Sequence, residues 1–284
     1  MNANVHAVRL GLWRAWLEFK MSLRSPQDQG FYLFMGVASL TYLILRRNTP
    51  IEGTELLMPS FALPSLLGAL IAFGVVIGPA YQIAMEREDG TLLRAKATPR
   101  GMVGHVTAQI VGQALGLFPM LTVILLPSFL IFDGLMHQGA TGWFRMLGFL
   151  LLGLLATLPL GVILGSVVPS MQKVGTWGMM PIMVLAGISG IFVPLEQLWG
   201  WVQGVAQVFP MYWLGLGMRS AFLPDELAVL EIGGTWRTWQ AIAVLGTWAI
   251  AGLLIAPVVL RRMARKQSGS QVEAAKQAAL QWSH

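Results

Sequence analysis

The fold is decided by residues 58–85, MPSFALPSLLGALIAFGVVIGPAYQIAM, and by residues 86–101, EREDGTLLRAKATPRG, which follow them directly. The first stretch contains no Asp, Glu, Lys or Arg. As a helix it is long enough to cross the roughly 30 Å of hydrocarbon in a bilayer. The second stretch places charges of both signs in a short space. This pattern predicts a membrane-spanning helix followed by a charged segment in water.

The composition of the whole chain agrees with a membrane protein. Hydrophobic residues occupy 55% of the 284 positions and charged residues 11%, whereas about 25% of an ordinary soluble domain is charged. So few charges cannot give a soluble fold of this size a polar surface. The chain has no cysteine, which excludes a disulfide framework, a thiolate metal site and a thiol nucleophile.

Several other stretches resemble residues 58–85 in being long and uncharged. The predicted spans are residues 30–45, 58–85, 102–132, 146–172, 174–195 and 238–260. The first is short, but Arg46 and Arg47 close it with side chains that can reach the interface. We therefore expect an all-α, polytopic membrane protein with six transmembrane helices, whose transmembrane domain covers residues 29–262.

Residues 197–218 are also uncharged and raise the question of a seventh span. A seventh crossing would place the basic residues of 261–266 opposite the basic amino-terminal segment, against the positive-inside tendency. Six crossings put both termini on the cytoplasmic side of the plasma or inner membrane. Residues 196–222 then form an extracellular re-entrant helical hairpin before the last span, with Pro194 and Pro210 at its bends. A plain outer loop on the headgroups is the alternative.

Residues 1–28 have the pattern of an amphipathic helix, since apolar residues recur at helical spacing between charged ones. The apolar set is Val5, Val8, Leu12, Trp16, Phe19 and Leu23. We expect this helix to lie along the cytoplasmic interface, with cations toward anionic headgroups and tryptophans at the boundary. The residues assigned to that surface are Arg9, Trp13, Trp16, Lys20 and Arg24. A soluble helix packed on the protein itself is the alternative.

The charged segment 86–101 is predicted to form a short helix at the membrane surface. Asp89 or Thr91 can cap such a helix, and Pro99 and Gly101 can end it. A charged helix between two long spans is well placed to dock against a soluble partner. A solvated loop that only follows the charge rule is the alternative. No function is assigned to the polar tail, residues 263–284.

The sequence lacks the residues that chemistry inside a membrane needs. His105 is the only histidine, acid or base in the predicted spans, and we expect it at the interface rather than in a proton relay. The chain has no paired carboxylates, no His-Glu-x-x-His, no Gly-x-Ser-x-Gly and no phosphate-binding loop. We therefore expect no catalysis, metal, bound cofactor or nucleic-acid partner, and any nucleotide chemistry must come from another polypeptide.

Glycine pairs four residues apart occur within three spans. Such pairs let helices approach closely, and we expect packing within the chain rather than dimer seams. The pairs are Gly74 and Gly78, Gly112 and Gly116, and Gly161 and Gly165.

Two motifs carry a family resemblance. Residues 86–92, EREDGTL, followed by Ala97-Thr98-Pro99, resemble the signature after the second span in permease subunits of type-2 ATP-binding-cassette (ABC) exporters. Residues 189–198, SGIFVPLEQL, continuing to 208–213, VFPMYW, resemble the fifth span and outer hairpin of the same permeases. The similarity covers nearly the whole chain except the tail, and the bacterial drug-resistance branch is the most similar.

The resemblance implies half of a transporter. Two six-span chains, identical or related, would pair in the membrane, and each would bind one of two ABC ATPase subunits that hold ATP and Mg²⁺. The cargo would be a hydrophobic or amphipathic compound moved outward. A secondary carrier and a resistance or immunity scaffold without transport are the alternatives.

The family's amino-terminal interfacial helix maps onto residues 5–24, and its other functional regions map onto two sets of residues. The ATPase-coupling set is Glu86, Arg87, Glu88, Gly90, Thr91 and Leu92. The outer gate set is Gly190, Pro194, Glu196, Pro210 and Trp213. The chain departs from the family at Trp199-Gly200-Trp201, where relatives more often have a proline, so the tip of the hairpin is expected to differ.

Overall fold

The structure is a computed structural model that describes residues 3–51, 56–92, 101–190 and 195–266. Within these ranges the chain is helical, with one isolated antiparallel bridge between Pro50 and Leu57. The prediction of an all-α fold is confirmed. Three predicted features lie outside the described residues: part of the coupling segment (93–100), Pro194 of the outer gate, and the tail from residue 267 onward.

The described helices follow one another along the chain with short connections. They are α1, Ala3–Ser22; α2, Pro26–Leu45; α3, Met58–Glu88; α4, Gly101–Ile131; and α5, Gly139–Val167. Helix α6 begins as Met171–Lys173, widens into a π-helical segment at Val174–Gly178 and continues as Met179–Gly187. A 3₁₀ turn at Leu195–Gln197 precedes α7, Gly200–Val208, and α8, Pro210–Phe222. A second 3₁₀ turn at Asp225–Leu230 leads to α9, Thr238–Lys266.

Helix α3 joins two ends of the molecule with different features. Its 31 residues measure about 46 Å at 1.5 Å per residue. Arg14 of α1 contacts Glu86 at its carboxyl end, and Arg219 of α8 contacts Ser65 near its amino end. We call these the α1 end and the hairpin end, where the hairpin is α7 and α8.

The long helices alternate in direction between these two ends. Helix α4 begins at the α1 end, where Gly104 touches α1. It finishes at the hairpin end, where the amide of His137 donates to the carbonyl of Phe222. Helix α5 returns, because Val168, just after it, accepts a hydrogen bond from Arg87 at the end of α3.

Four described helices are long and apolar enough to cross a bilayer. They are Met58–Glu88, Val103–Ile131, Gly139–Val167 and Thr238–Leu260. The other two predicted spans, 30–45 and 174–195, correspond to α2, which starts with the polar turn Pro26–Gln29, and to α6, which the π-helical segment interrupts. These two crossings stay predictions.

Helix α5 covers Gly139–Val167, where the sequence predicts 146–172. The predicted start rests on treating the charged Arg145 as the end of a loop. In the structure Arg145 belongs to the helix, and its Nη1 atom donates to the carbonyl of Ser220 at 3.2 Å and lies 3.8 Å from Asp225. An arginine that contacts neighbouring polar groups does not need to end a helix.

Helix α8 lies inside the bundle at the hairpin end, and each of its residues is buried. It packs against α3 and α5 through small residues: a Cβ added at Gly68 would lie 2.9 Å from the Cα of Gly215, and one at Gly153 or Gly217 would clash with Leu214 or Phe149. Helices that are covered on all sides must be apolar on all sides. Arg219 is the charged exception.

Candidate functional site

A buried carboxylate organises the α1 end. The side chain of Glu86 is 4% exposed, although it belongs to the segment expected to face a soluble partner. Its Oε1 atom accepts a hydrogen bond from Nη2 of Arg14 at 3.0 Å, and Nε of Arg14 donates to Glu18 at 2.6 Å. Glu86 therefore attaches α1 to the end of α3 and is not itself available at the surface.

His105 completes this cluster from the start of α4. Its Nε2 atom lies 3.3 Å from Oε2 of Glu86, and its side chain is 2% exposed. The expected interfacial position is corrected here, since the imidazole is enclosed by the protein. The cluster thus contacts three helices, α1, α3 and α4, through Arg14, Glu86 and His105.

Arg87 and Glu88 bind the connection between α5 and α6. Nη2 of Arg87 donates to the carbonyl of Val168 at 2.6 Å, and Oε1 of Glu88 accepts from the amide of Met171 at 2.9 Å. The positive side chain therefore lies at the carboxyl end of α5 and the negative one at the amino end of α6, as the two helix dipoles favour. Ser170 adds a cap by accepting from the amide of Lys173 at 3.3 Å.

The rest of the described coupling set forms a tight turn. Oδ1 of Asp89 accepts from the amide of Thr91 at 2.7 Å, which is the local bond expected of a capping aspartate. Gly90 has φ of 78°, a left-handed conformation that glycine adopts without steric cost. Leu92 is fully buried. These contacts fix the direction in which the chain leaves α3.

Helix α1 contacts the protein through small residues and not through its apolar set. Ala7, Gly11 and Ala15 are buried, and a Cβ added at Gly11 would clash with the carbonyl oxygen of Gly104 in α4. The predicted apolar residues are mostly exposed, including Val5 at 58% and Trp16 at 42%. They are therefore free to contact something other than this chain.

The five residues assigned to the interfacial surface lie outside that packed face. Trp13 and Trp16 are exposed, and so are Arg9, Lys20 and Arg24. Nζ of Lys20 lies 5.2 Å from the centre of the Trp16 ring. This surface therefore combines exposed cations with exposed aromatic rings.

A second buried ion pair organises the hairpin end. Arg219 of α8 is 1% exposed, and its Nε atom donates to Oε1 of Glu231, which is 3% exposed. Its Nη1 atom lies 3.2 Å from Oγ of Ser65 and 3.4 Å from the carbonyl oxygen of Gly190. The guanidinium also lies 5.3 Å from the centre of the Phe61 ring. Arg219 thus connects α8 to α3, to the end of α6 and to the segment before α9.

Trp213 of the gate set is held by a second arginine. Its Nε1 atom donates to the carbonyl of Gln207 in α7 at 2.6 Å, and the guanidinium of Arg237 lies 4.8 Å from its ring centre. Arg237 also donates to Oε1 of Gln207 at 2.8 Å and to the hydroxyl of Tyr212 at 2.7 Å. Burial, followed by the charge of Glu231, raises the pKa of Tyr212 above its usual value, so the phenol keeps its proton at neutral pH.

The other described gate residues take different positions. Gly190 adopts φ of 75° and gives its carbonyl oxygen to Arg219. Pro210 is the first residue of α8 and is buried, whereas Glu196 is exposed and its carbonyl accepts from Gln203 at 3.3 Å. Gly190 is therefore held by Arg219 and Trp213 by Arg237, whereas Glu196 is exposed.

Sequence reasoning missed Arg219, Glu231 and Arg237 as members of this site. The pattern that could have found Arg219 is a single charge in the apolar run that becomes α8, because such a charge is costly without a partner. Glu231 stands 12 positions from Arg219, and nothing in the sequence pairs them.

Comparison with known proteins identifies the family of this chain. Residues 38–257, which form most of the chain, match the family model of the ABC-2 family transporter proteins. The chain belongs to the ABC-2 transporter family. No curated protein matches the sequence significantly. Membership makes this ABC-2 protein a multi-pass membrane component of a transporter and implies, in general terms, an ABC ATPase partner. It also agrees with a chain that is not itself an enzyme.

Proposed function

We propose that this ABC-2 protein is the permease subunit of an ABC exporter of the bacterial drug-resistance type. It would move a hydrophobic or amphipathic compound outward, with ATP and Mg²⁺ bound and hydrolysed in a separate ATPase. The observation that carries the proposal is the family match over residues 38–257. The sequence has no phosphate-binding loop of its own, in agreement with a separate motor.

The proposed topology has six spans, cytoplasmic termini and an outer re-entrant hairpin. It is supported by the alternation of α3, α4 and α5 between the α1 end and the hairpin end. It is also supported by the exposed basic residues of α1, Arg9, Lys20 and Arg24, which the positive-inside tendency places on the cytoplasmic side. The exposed Val5 and Trp16 then contact lipid, as expected of an interfacial helix.

The proposed coupling region is residues 86–101. A partner that pushes on this segment acts on the end of α3. Transmission from there to other helices is supported by the contacts of Arg14, Arg87 and Glu88, because they connect that end of α3 to α1, α5 and α6. Movement of the ATPase would therefore reach four helices through ion pairs and helix caps, without any reaction in this chain.

The proposed transporter contains two permease chains and two ATPase subunits. ATP binding would draw the two coupling regions together, and the spans would open a path outward. The hairpin, held by Arg219 and Arg237, would act as the outer gate. The part of the gate that would separate consists of Gln207, Trp213 and Arg237. Its separation would break no main-chain hydrogen bond of a long helix.

The deciding experiment is co-expression with a candidate ABC ATPase encoded beside this chain. We expect the two to co-purify, and we expect inside-out vesicles to take up an exported compound only with ATP. An ATPase variant with its phosphate-binding lysine replaced is the matched control and must abolish uptake. Export that survives without ATP on a proton gradient would establish a secondary carrier instead. Resistance that persists with the ATPase variant would establish a scaffold or immunity protein.

A further inference from the structure

A large cavity opens at the α1 end among α1, α2, α3 and α4. Its volume is about 720 Å³, within the roughly 300–1,000 Å³ range of small-molecule sites. It lies beside the Arg14 and Glu86 cluster, because Glu18 and Gln82 are part of its wall. A site here is therefore close to the proposed coupling region.

Two of the three glycine pairs line this cavity. Gly74, Gly78, Gly112 and Gly116 are all part of its wall, and a Cβ added at Gly74 or Gly116 would meet nothing within 4 Å. The expectation of close packing is correct for Gly161 and Gly165, which touch the backbone of α3. In the other two pairs it is correct for Gly78, where an added Cβ would lie 2.9 Å from Oε1 of Gln113 in α4, but not for Gly74 or Gly116. The absent side chains of Gly74 and Gly116 leave the space open.

A buried amide in the wall lacks a partner. Gln109 is 3% exposed, and its Nε2 atom has no hydrogen-bond partner among the described residues. A buried donor left unpaired is costly, and Gln109 lines the cavity. The nitrogen itself is enclosed, so the Gln109 side chain must turn into the cavity before a bound oxygen acceptor can satisfy it, with Gln113 as a second amide in the same wall.

The charged residues of the wall are acids. Glu18 and Asp28 line the cavity, and no Lys, Arg or His occurs among its described lining residues. Arg14, just outside, already binds both Glu18 and Glu86, so acids exceed bases around the space. Tyr32 and Tyr81 add aromatic rings, which attract cations through their faces.

We propose that this cavity is a binding site, within a single chain, for an amphipathic organic cation that also carries a carbonyl or hydroxyl oxygen. The cation lies near Glu18 and Asp28, the oxygen accepts from Gln109, and the apolar body fills the space beside the four glycines. The proposal rests on the proposed export function and specifies its substrate class. Binding at this site requires no ATPase.

The test is fluorescence-polarisation binding of rhodamine 6G, a cationic ester, to the purified permease in lipid nanodiscs without ATPase. We expect Gly116→Leu, which fills the cavity, to weaken binding more than tenfold. Gly148→Leu is the matched control, because Gly148 is exposed and a Cβ there also meets nothing within 4 Å. It should stay within twofold of the parent. Gln109→Leu should weaken binding about fivefold, the loss of one hydrogen bond.

The charge is tested by Asp28→Asn with two probes. Rhodamine 6G should bind severalfold more weakly to this variant, whereas the neutral dye Nile red should be unaffected. Equal effects of Gly116→Leu and Gly148→Leu would overturn the site, and a phospholipid that co-purifies and blocks the probe would do the same. Equal effects of Asp28→Asn on both dyes would overturn the cation. These results are independent of the co-purification experiment, which alone decides the proposed function.

Discussion

Nη2 of Arg14 lies 3.0 Å from Oε1 of Glu86, 72 positions away along the chain. The guanidinium is 37% exposed and the carboxylate 4%, so the pair connects a surface helix to the interior. The carboxylate that follows the apolar run 58–85 is thus used to hold α1 in place. The first prediction concerns this contact.

Replacing Glu86 by Gln should weaken the attachment of α1. The substitution keeps the size of the side chain but removes the charge, and hydrogen bonds to charged groups contribute about 1.5–3 kcal/mol. Since Arg14 is partly solvated, we expect a loss near the lower value. Substrate-stimulated ATP hydrolysis by the reconstituted complex should fall, while membrane insertion stays normal. Glu226→Gln, an exposed acid at the hairpin end, is the control, and an equal fall there would refute the assignment.

Replacing Glu88 by Ala should loosen the start of α6. The carboxylate accepts from the amide of Met171 at 2.9 Å, and loss of a helix cap costs about 1 kcal/mol. Hydrogen exchange at residues 171–174 should become faster, and stimulated ATP turnover should fall. Lys173→Ala, which leaves this acceptor in place, should change neither quantity. Unaltered exchange in Glu88→Ala would show that the cap is unimportant.

Replacing Arg219 by Met should destabilise the hairpin end strongly. It leaves Glu231, 3% exposed, as a buried carboxylate without its partner, and breaking a buried ion pair costs about 3–5 kcal/mol. The apparent unfolding temperature in detergent should drop. The double variant Arg219→Met with Glu231→Leu should recover a large part of the loss, because neither charge is then buried alone. Additive losses in the double variant would contradict the pairing.

Two substitutions of Arg237 distinguish the stability that its side-chain contacts contribute from the stability that its strained backbone costs. It is the only non-glycine residue with positive φ in the described part of the chain, at 41°. Arg237→Met should lose the contacts with Gln207 and Tyr212 and keep the strain. Arg237→Gly loses the same contacts but relieves about 1–2 kcal/mol of strain. The apparent unfolding temperature should be highest for the parent, lower for Arg237→Gly and lowest for Arg237→Met. An Arg237→Met variant more stable than Arg237→Gly would refute this account.

Gly11 tests how α1 packs on α4. A side chain at this position would clash with the carbonyl oxygen of Gly104, and overpacking of this kind costs about 1–3 kcal/mol. Gly11→Ala should therefore lower stability and expose α1 to proteolysis. Gly30→Ala is matched in chemistry, and its Cβ would meet nothing within 4 Å. Helix propensity should make that control neutral or slightly stabilising, and similar losses in both variants would exclude the proposed packing.

Much of the fold follows from local sequence alone. A long run without charges, such as residues 58–85, has few stable alternatives to a membrane helix, and the start of α8 at Pro210 follows from the helix-starting preference of proline. Helix α5 begins at Gly139, seven residues before the predicted span, because Arg145 belongs to the helix. Its contact with Ser220 depends on a helix that comes later in the chain.

The sequence predicts less of the site, because the contacts there join residues that are far apart along the chain. The motif points to Glu86 and Arg87 but contains nothing about Arg14 or Val168, which contact them. Gly74 and Gly161 belong to the same pattern, yet one faces a cavity and the other a backbone. A glycine pair permits close approach, and the neighbouring helix decides whether approach occurs.

The consecutive contacts of Arg87 and Glu88 have a mechanical consequence. Arg87 binds the carbonyl of Val168, just after α5, and Glu88 binds the amide of Met171, the first residue of α6, so a shift of the turn at residues 168–170 must break these bonds or move the end of α3. A force applied to either segment is therefore shared by the ends of α3, α5 and α6. In the proposed transporter, two surfaces far apart in sequence would then act as one rigid contact for the ATPase.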